Sequence, residues 1–139
     1  MEGDAAPSER RRAAISAFTA WLRERLGEPT DEGVLANRMV ELAEGDPALL
    51  TVTDLAARLH VSTRTLQRLA ATHVGLPPAA LIRRRRLQEA AEQLRVDPSL
   101  DLTALAHELG YADPARLASD LRATLGFTPS TYRRTQSVE

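Results

Sequence analysis

LTVTDLAARLHVSTRTLQRLAATHVGLPP, residues 50–78, reads as a helix, a tight turn and a second helix. Thr51 is followed three residues on by Asp54, a pairing in which side-chain oxygens satisfy the free N–H groups of a helix start. Leu55, Ala56 and Leu59 then share one face, and the small Ala56 lets another helix cross close by. His60-Val61-Ser62 forms the turn, with Ser62 as N-cap of the next helix. In that helix Leu66, Leu69 and Val74 are expected inside, and Thr63, Arg64, Gln67, Arg68 and Ala71 outside. A second helix that offers Arg, Gln and Arg on one exposed turn carries the donors that pair with guanine and adenine in a DNA major groove.

The pattern returns in LDLTALAHELGYADPARLASDLRATLGFTP, residues 100–129. Leu55, Ala56 and Leu59 match Leu105, Ala106 and Leu109 at an offset of 50. After the turn the offset is 51, pairing Ser62 with Asp113, Leu66 with Leu117, Gly75 with Gly126 and Pro78 with Pro129. One extra residue in the second turn accounts for the change. Two such units are far more specific than one.

Two helix-turn-helix units joined by a helix resemble the AraC/XylS-type DNA-binding domain. The resemblance rests on the Leu-Ala-x-x-Leu of each first helix, Ser62-x-Arg-x-Leu-Gln-Arg68, Gly75-x-x-Pro78, Arg86-Leu87-x-x-Ala90-Ala91-x-x-Leu94, Gly110-Tyr111-x-Asp113 and Gly126-x-Thr-Pro129-x-x-Tyr132-Arg133. It covers roughly residues 34–134. It implies an all-α fold and a transcription factor that lays helices 63–74 and 114–125 into successive major-groove segments. Residues 1–33 then form a tail and an extra connector helix, and residues 34–139 the double helix-turn-helix domain.

Charge is partitioned in a way that suits this reading. The formal net charge is only −1. Residues 1–46 hold 6 Arg against 10 acids, whereas residues 58–95 hold 8 Arg against Glu89 and Glu92. All 18 basic residues are Arg. A local basic field of this kind is what phosphate binding needs. Taken alone, such a run is more often a solvated helix face; the paired motifs beside it favour the DNA reading.

Upstream, Ile15, Phe18, Leu22 and Leu26 form a stripe on a helix over 8–26, with Ala14 and Trp21 beside it. That stripe needs cover, from its own domain or from a second copy in a homodimer. A helix over 34–44 follows, with Leu35, Met39 and Leu42 inward. Pro78 opens a long helix to about Arg95, spanning on the order of 27 Å at ~1.5 Å per residue. Ala80, Leu87, Ala90, Ala91 and Leu94 form its stripe, and Leu81 and Ile82 fall off it. The mismatch predicts that the two ends pack on different bodies. Arg85 and Arg86 project away from the stripe and are the expected phosphate contacts, while Arg83 and Arg84 snorkel from its edge. Asp101 and Asp113 cap the following helices, and Pro114 takes an N1 position. A short last helix is expected around Tyr132.

Other chemistry finds little footing. There is no Cys, and His60, His73 and His107 lack metal-ligand spacing, so neither a metal site nor a cofactor is expected. No phosphate-cradling glycine loop and no nucleophile with a base at motif spacing is present, which gives no catalytic residues to name. No apolar run approaches the ~20 residues of a membrane span, and the first residues lack a secretory core, so a cytoplasmic protein is expected.

The expected base contacts are Arg64, Gln67, Arg68 and Arg116, and the expected phosphate contacts Ser62, Thr63, Arg85, Arg86 and Arg122. The family commonly offers Gln, His and Arg near Pro114, Arg116 and Ser119. Here Ala115 and Ser119 stand where the first unit has Arg64 and Arg68. The first unit is therefore expected to specify sequence and the second to add electrostatic affinity. Double-stranded DNA is the principal partner, with RNA polymerase or a sensor domain as further ones. The competing reading is a degenerate helix-turn-helix module that acts through a protein partner. Such a module would present a more apolar face on helix 63–74.

Overall fold

The computed structural model describes residues 7–126 and 128–130. The described residues form seven α-helices and no strand. These are α1 (Pro7–Leu26), α2 (Asp31–Gly45), α3 (Val52–Arg58), α4 (Thr63–His73), α5 (Pro78–Val96), α6 (Leu102–Glu108) and α7 (Pro114–Leu125). The chain divides into two compact units after Asp31. The helix expected around Tyr132 lies outside the described residues.

In the stretch up to Asp31, α1 begins at Pro7 and runs unbroken to Leu26. Phe18 and Trp21 stack with ring centroids 5.9 Å apart, and the Arg25 guanidinium lies 4.9 Å from the Trp21 centroid. Ile15, Phe18, Trp21 and Leu26 are exposed.

The body from Glu32 on repeats one design in two helix-turn-helix units. Thr51 and Asp54 form the reciprocal capping box at the start of α3, with bonds of 3.1 and 3.0 Å. Asp101 caps α6 fifty residues later. The turns match bond for bond: Val61 N–H donates to Ala56 O, and Tyr111 N–H to Ala106 O. Ser62 then caps α4 and Asp113 caps α7, so the extra residue falls in the second turn, as the change of offset requires. The turn needs one residue in the left-handed region. The second unit has Gly110 there at φ 74°, the first has His60 at φ 55°.

Each unit has its own core. Met39, Ala43, Leu55, Leu66, Ala70, Leu81 and Ile82 belong to one cluster, and Leu87, Ala90, Leu94, Leu105, Leu109, Tyr111, Leu117 and Leu121 to the other. α5 is continuous through Arg85 and contributes to both. At about 100° per residue, positions 78, 81, 82 and 85 lie on one side of α5 and positions 83, 87, 90 and 94 on the opposite side. The off-stripe Leu81 and Ile82 are thus explained: they face the first core, 3% and 2% exposed.

The same geometry corrects the reading of Arg85. It lies on the Leu81–Ile82 side and is buried, 7% exposed. Its Nε donates to Ala43 O at 3.1 Å and its Nη2 to Leu49 O at 2.7 Å, while Nη1 meets Glu89 Oε2 at 3.4 Å. Ala43 is in the last turn of α2, where carbonyls lack intrahelical partners. Arg85 therefore cannot reach a phosphate; it satisfies buried carbonyls of the first unit. Burial pushes its guanidinium below its ordinary pKa, with Glu89 opposing. Arg83 and Arg84, expected at the stripe edge, are the exposed members of the run.

Two stability predictions follow from this arrangement. Arg85→Ala strands two buried acceptors, each costing ~1–3 kcal/mol, so a loss on the order of 3 kcal/mol is expected in urea unfolding. Arg85→Lys should recover only part, because a point charge cannot fork between two carbonyls. His60→Gly should raise stability by roughly 0.5–1 kcal/mol, since relief of the left-handed strain exceeds the added chain entropy. Gly110→Ala should do the reverse, because its φ is 74° and a Cβ there would stand 3.2 Å from Leu50 Cδ1.

Candidate nucleic-acid interface

α4 is pinned from behind. Leu66 and Leu69 are fully buried and Ala70 is 1% exposed. The opposite face, with Thr63, Arg64, Gln67, Arg68 and Ala71, is at the surface, as the periodicity requires. The Ser62 Oγ accepts the Thr65 N–H at 3.1 Å and lies 2.9 Å from the Thr65 hydroxyl. Ser62 thus holds the helix start, with Thr63 exposed beside it.

Arg68 is not loose on that face. Its Nη2 donates to Glu32 Oε1 at 2.6 Å and its Nη1 to Glu32 Oε2 at 3.2 Å. His73 Nε2 lies 3.8 Å from the same carboxylate. α2 begins at Asp31, three residues before the expected start, and this places Glu32 on its first turn, within reach of α4. The hydrogen bond from Arg68, and then its charge, hold the Glu32 carboxyl below its ordinary pKa, and Glu32 raises Arg68 in return.

α7 is pinned in the same way by Leu117 and Leu121, both fully buried. Asp113 Oδ1 accepts the Arg116 N–H at 2.7 Å. Ala115, Arg116, Ser119 and Arg122 are exposed. Arg116 extends to within 3.8 Å of Asp120, its side chain 68% exposed.

Between the first half of α5, the second turn and α7 lies an open cleft of about 500 Å³. Arg83, Arg86, Tyr111, Arg116 and Asp120 line it, with Pro77 at one side. Pro77 also borders a second groove that runs to Gln67 on α4. Arg86 lies over the Tyr111 ring, 4.2 Å from its centroid, and its Nε is buried without a hydrogen-bond partner among the described residues. The Tyr111 hydroxyl donates to Asp120 Oδ2 at 3.3 Å. Burial, foremost, raises the Tyr111 pKa, so the ring stays neutral beside Arg86.

The structure thus brings Arg64, Gln67 and Arg68 together on one face and sets Arg86 and Arg116 around the cleft. Arg122 stands apart on α7, and Arg85 is withdrawn into the first core. Sequence reasoning missed Glu32, Arg83 and Tyr111. The spacing 83, 87, 90, 94 carried the signal for Arg83; nothing local pointed to Glu32, 36 residues from Arg68.

An all-helical domain with paired units and one polar recognition face is a helix-turn-helix domain. A family model described as a helix-turn-helix domain matches residues 55–135. The chain is 32% identical to an AraC-like transcription regulator of Streptomyces antibioticus over 87% of this chain and 38% of that one. It is also 32% identical to the HTH-type transcriptional activator AarP of Providencia stuartii, over 86% of this chain and 73% of that one. The C-terminal domain of AraT, a response regulator from Geobacillus stearothermophilus, superposes with a TM-score of 0.63 at 23% identity, covering 76% of this chain and 88% of that one. The chain belongs to the AraC-type helix-turn-helix transcription regulators. It spans about two fifths of the length of the Streptomyces relative, 38%. Among the described residues no helix is long and apolar enough to cross a membrane.

The Glu32–Arg68 pair has a titration signature. A carboxyl with a depressed folded-state pKa keeps its partner above the ordinary Glu range and loses it as pH falls through the depressed value. Carboxyl-detected NMR should place the Glu32 midpoint below that of an ordinary Glu, and Arg68→Ala should return it to the ordinary range.

Proposed function

We propose that the chain is the sequence-specific DNA-binding domain of a transcriptional regulator, with α4 and α7 entering successive major-groove segments. The observation that carries this is the exposed face of α4. Arg64, Gln67 and Arg68 stand at the N-terminal end of the second helix of a helix-turn-helix, backed by fully buried leucines. A face built to bury a protein partner would be more apolar.

Roles divide by chemistry. Arg64, Gln67 and Arg68 read base edges, and Arg116 is the remaining base-reading donor on α7. Ser62 and Thr63 at the start of α4, Arg122 on α7, and Arg83 and Arg86 in the cleft meet phosphates. Arg83 takes the place first given to Arg85. The cleft lies between α5 and the recognition helix α7, where backbone flanking the groove that α7 enters would pass. Base preference then resides mainly in the first unit, because Ala115 has no side-chain donor and Ser119 only a short one.

Selection of bound duplexes from a random pool tests the assignment. Base preference should be strong in one major-groove segment and weak in the next. Arg64→Ala should lose ~1–3 kcal/mol of discrimination at one base position. Arg122→Ala and Arg83→Ala should weaken all duplexes alike and each shrink the salt slope by ~0.9. Equal preference in both segments would overturn the division of labour. No preference in either would favour the protein-partner reading.

A further inference from the structure

We propose that Glu32 is a positioning residue for base recognition by Arg68, and so a determinant of sequence specificity that lies off the recognition helix. The inference rests on the DNA-reading role of α4 argued above.

The chemistry of the guanidinium carries it. Arginine presents five N–H groups in a planar fork. Two edges suit bidentate pairing: the end, made by Nη1 and Nη2, and the side, made by Nε and Nη2. Glu32 occupies the end, with bonds from Nη1 at 3.2 Å and Nη2 at 2.6 Å. Nε and the second hydrogen of Nη2 remain for the O6 and N7 of a guanine. Two bonds to one carboxylate fix the plane of the group as well as its position. An unheld arginine samples many rotamers and must be ordered at each binding event.

The pair has little to do for the fold. Both side chains are about half exposed, 54% for Arg68 and 51% for Glu32, and ion pairs at such sites add little stability. His73, on the same helix, lies 3.8 Å from Glu32 Oε2, the oxygen that Arg68 Nη1 also reaches, so two side chains of α4 converge on the one carboxylate. The carboxylate also has a sequence-independent effect. Beside a DNA face it repels phosphates of any duplex, which lowers non-specific affinity. Orientation therefore sharpens discrimination, while the repulsion lowers the affinity for every duplex alike.

The test uses the full chain and duplexes chosen by selection. Arg68→Ala first identifies the base position that depends on Arg68. Glu32→Ala is then measured on the preferred duplex and on one altered at that position. The preference should fall roughly tenfold, within what one bidentate base contact contributes, while binding to unrelated DNA rises. In an Arg68→Ala background, Glu32→Ala should leave base preference unchanged, and Glu32→Asp should restore part of it in the otherwise native chain. The urea midpoint should not move, which separates positioning from folding. An intact preference in Glu32→Ala, or an equal effect with and without Arg68, overturns the inference while leaving the DNA-reading role of α4 standing. Absence of base preference in the native chain overturns both.

Discussion

The double helix-turn-helix depends on a buried guanidinium. Arg85 enters the first core from the middle of α5 and bonds the carbonyls of Ala43 and Leu49. Desolvating a charge is costly unless it is fully bonded, so one rotation of α5 against the first unit is favoured over its neighbours. With that rotation set, Leu81 and Ile82 meet the first core, and Leu87, Ala90 and Leu94 on the other side meet the second. A helix buried on two opposed faces transmits orientation. The relation between α4 and α7 then follows from where their cores grip α5.

The scaffold was legible because it is local and repeated. Thr51 with Asp54, Ser62, Asp101 and Asp113 are caps whose partners lie two or three residues away, and the structure places every one where the spacing indicates. The two-body packing of α5 was legible from the apolar residues that fell off its stripe. Arg85 was misread because projection away from the Leu87–Leu94 stripe was taken as exposure, whereas that side packs on the first core. Its position, seven residues after Pro78, belongs to the buried face, and only the stranded carbonyls of α2 and its following loop explain a cation there. Glu32 was missed for a different reason. Its partner is 36 residues distant, and no periodicity encodes a contact between exposed side chains of two helices.

A net charge of −1 hides an arrangement that matters more than the total. Acids are placed against several arginines: Glu32 with Arg68, Glu44 with Arg84, Glu92 with Arg95. Arg86, in the cleft, is treated differently: it is turned onto a neutral aromatic ring. A ring stabilises a cation through its quadrupole without neutralising it, so the positive field at the cleft persists. The paired arginines contribute geometry, and Arg86 contributes field.

The two helix-turn-helix units preserve each other's skeleton and not each other's surface. Caps, turn hydrogen bonds and the buried leucines recur at fixed offsets, because a tight turn and a close helix crossing admit few solutions. The exposed positions carry no such constraint, and there Arg64 and Arg68 become Ala115 and Ser119. Even the turn shows where constraint ends: His60 and Gly110 take the same left-handed backbone with different residues, and a Cβ at Gly110 would stand 3.2 Å from Leu50 Cδ1. A duplicated fold can therefore keep two groove-sized projections while concentrating base chemistry in one of them. Sequence identity between the units reports packing. The reading surface has to be argued residue by residue, and at Arg68 it extends onto a second helix.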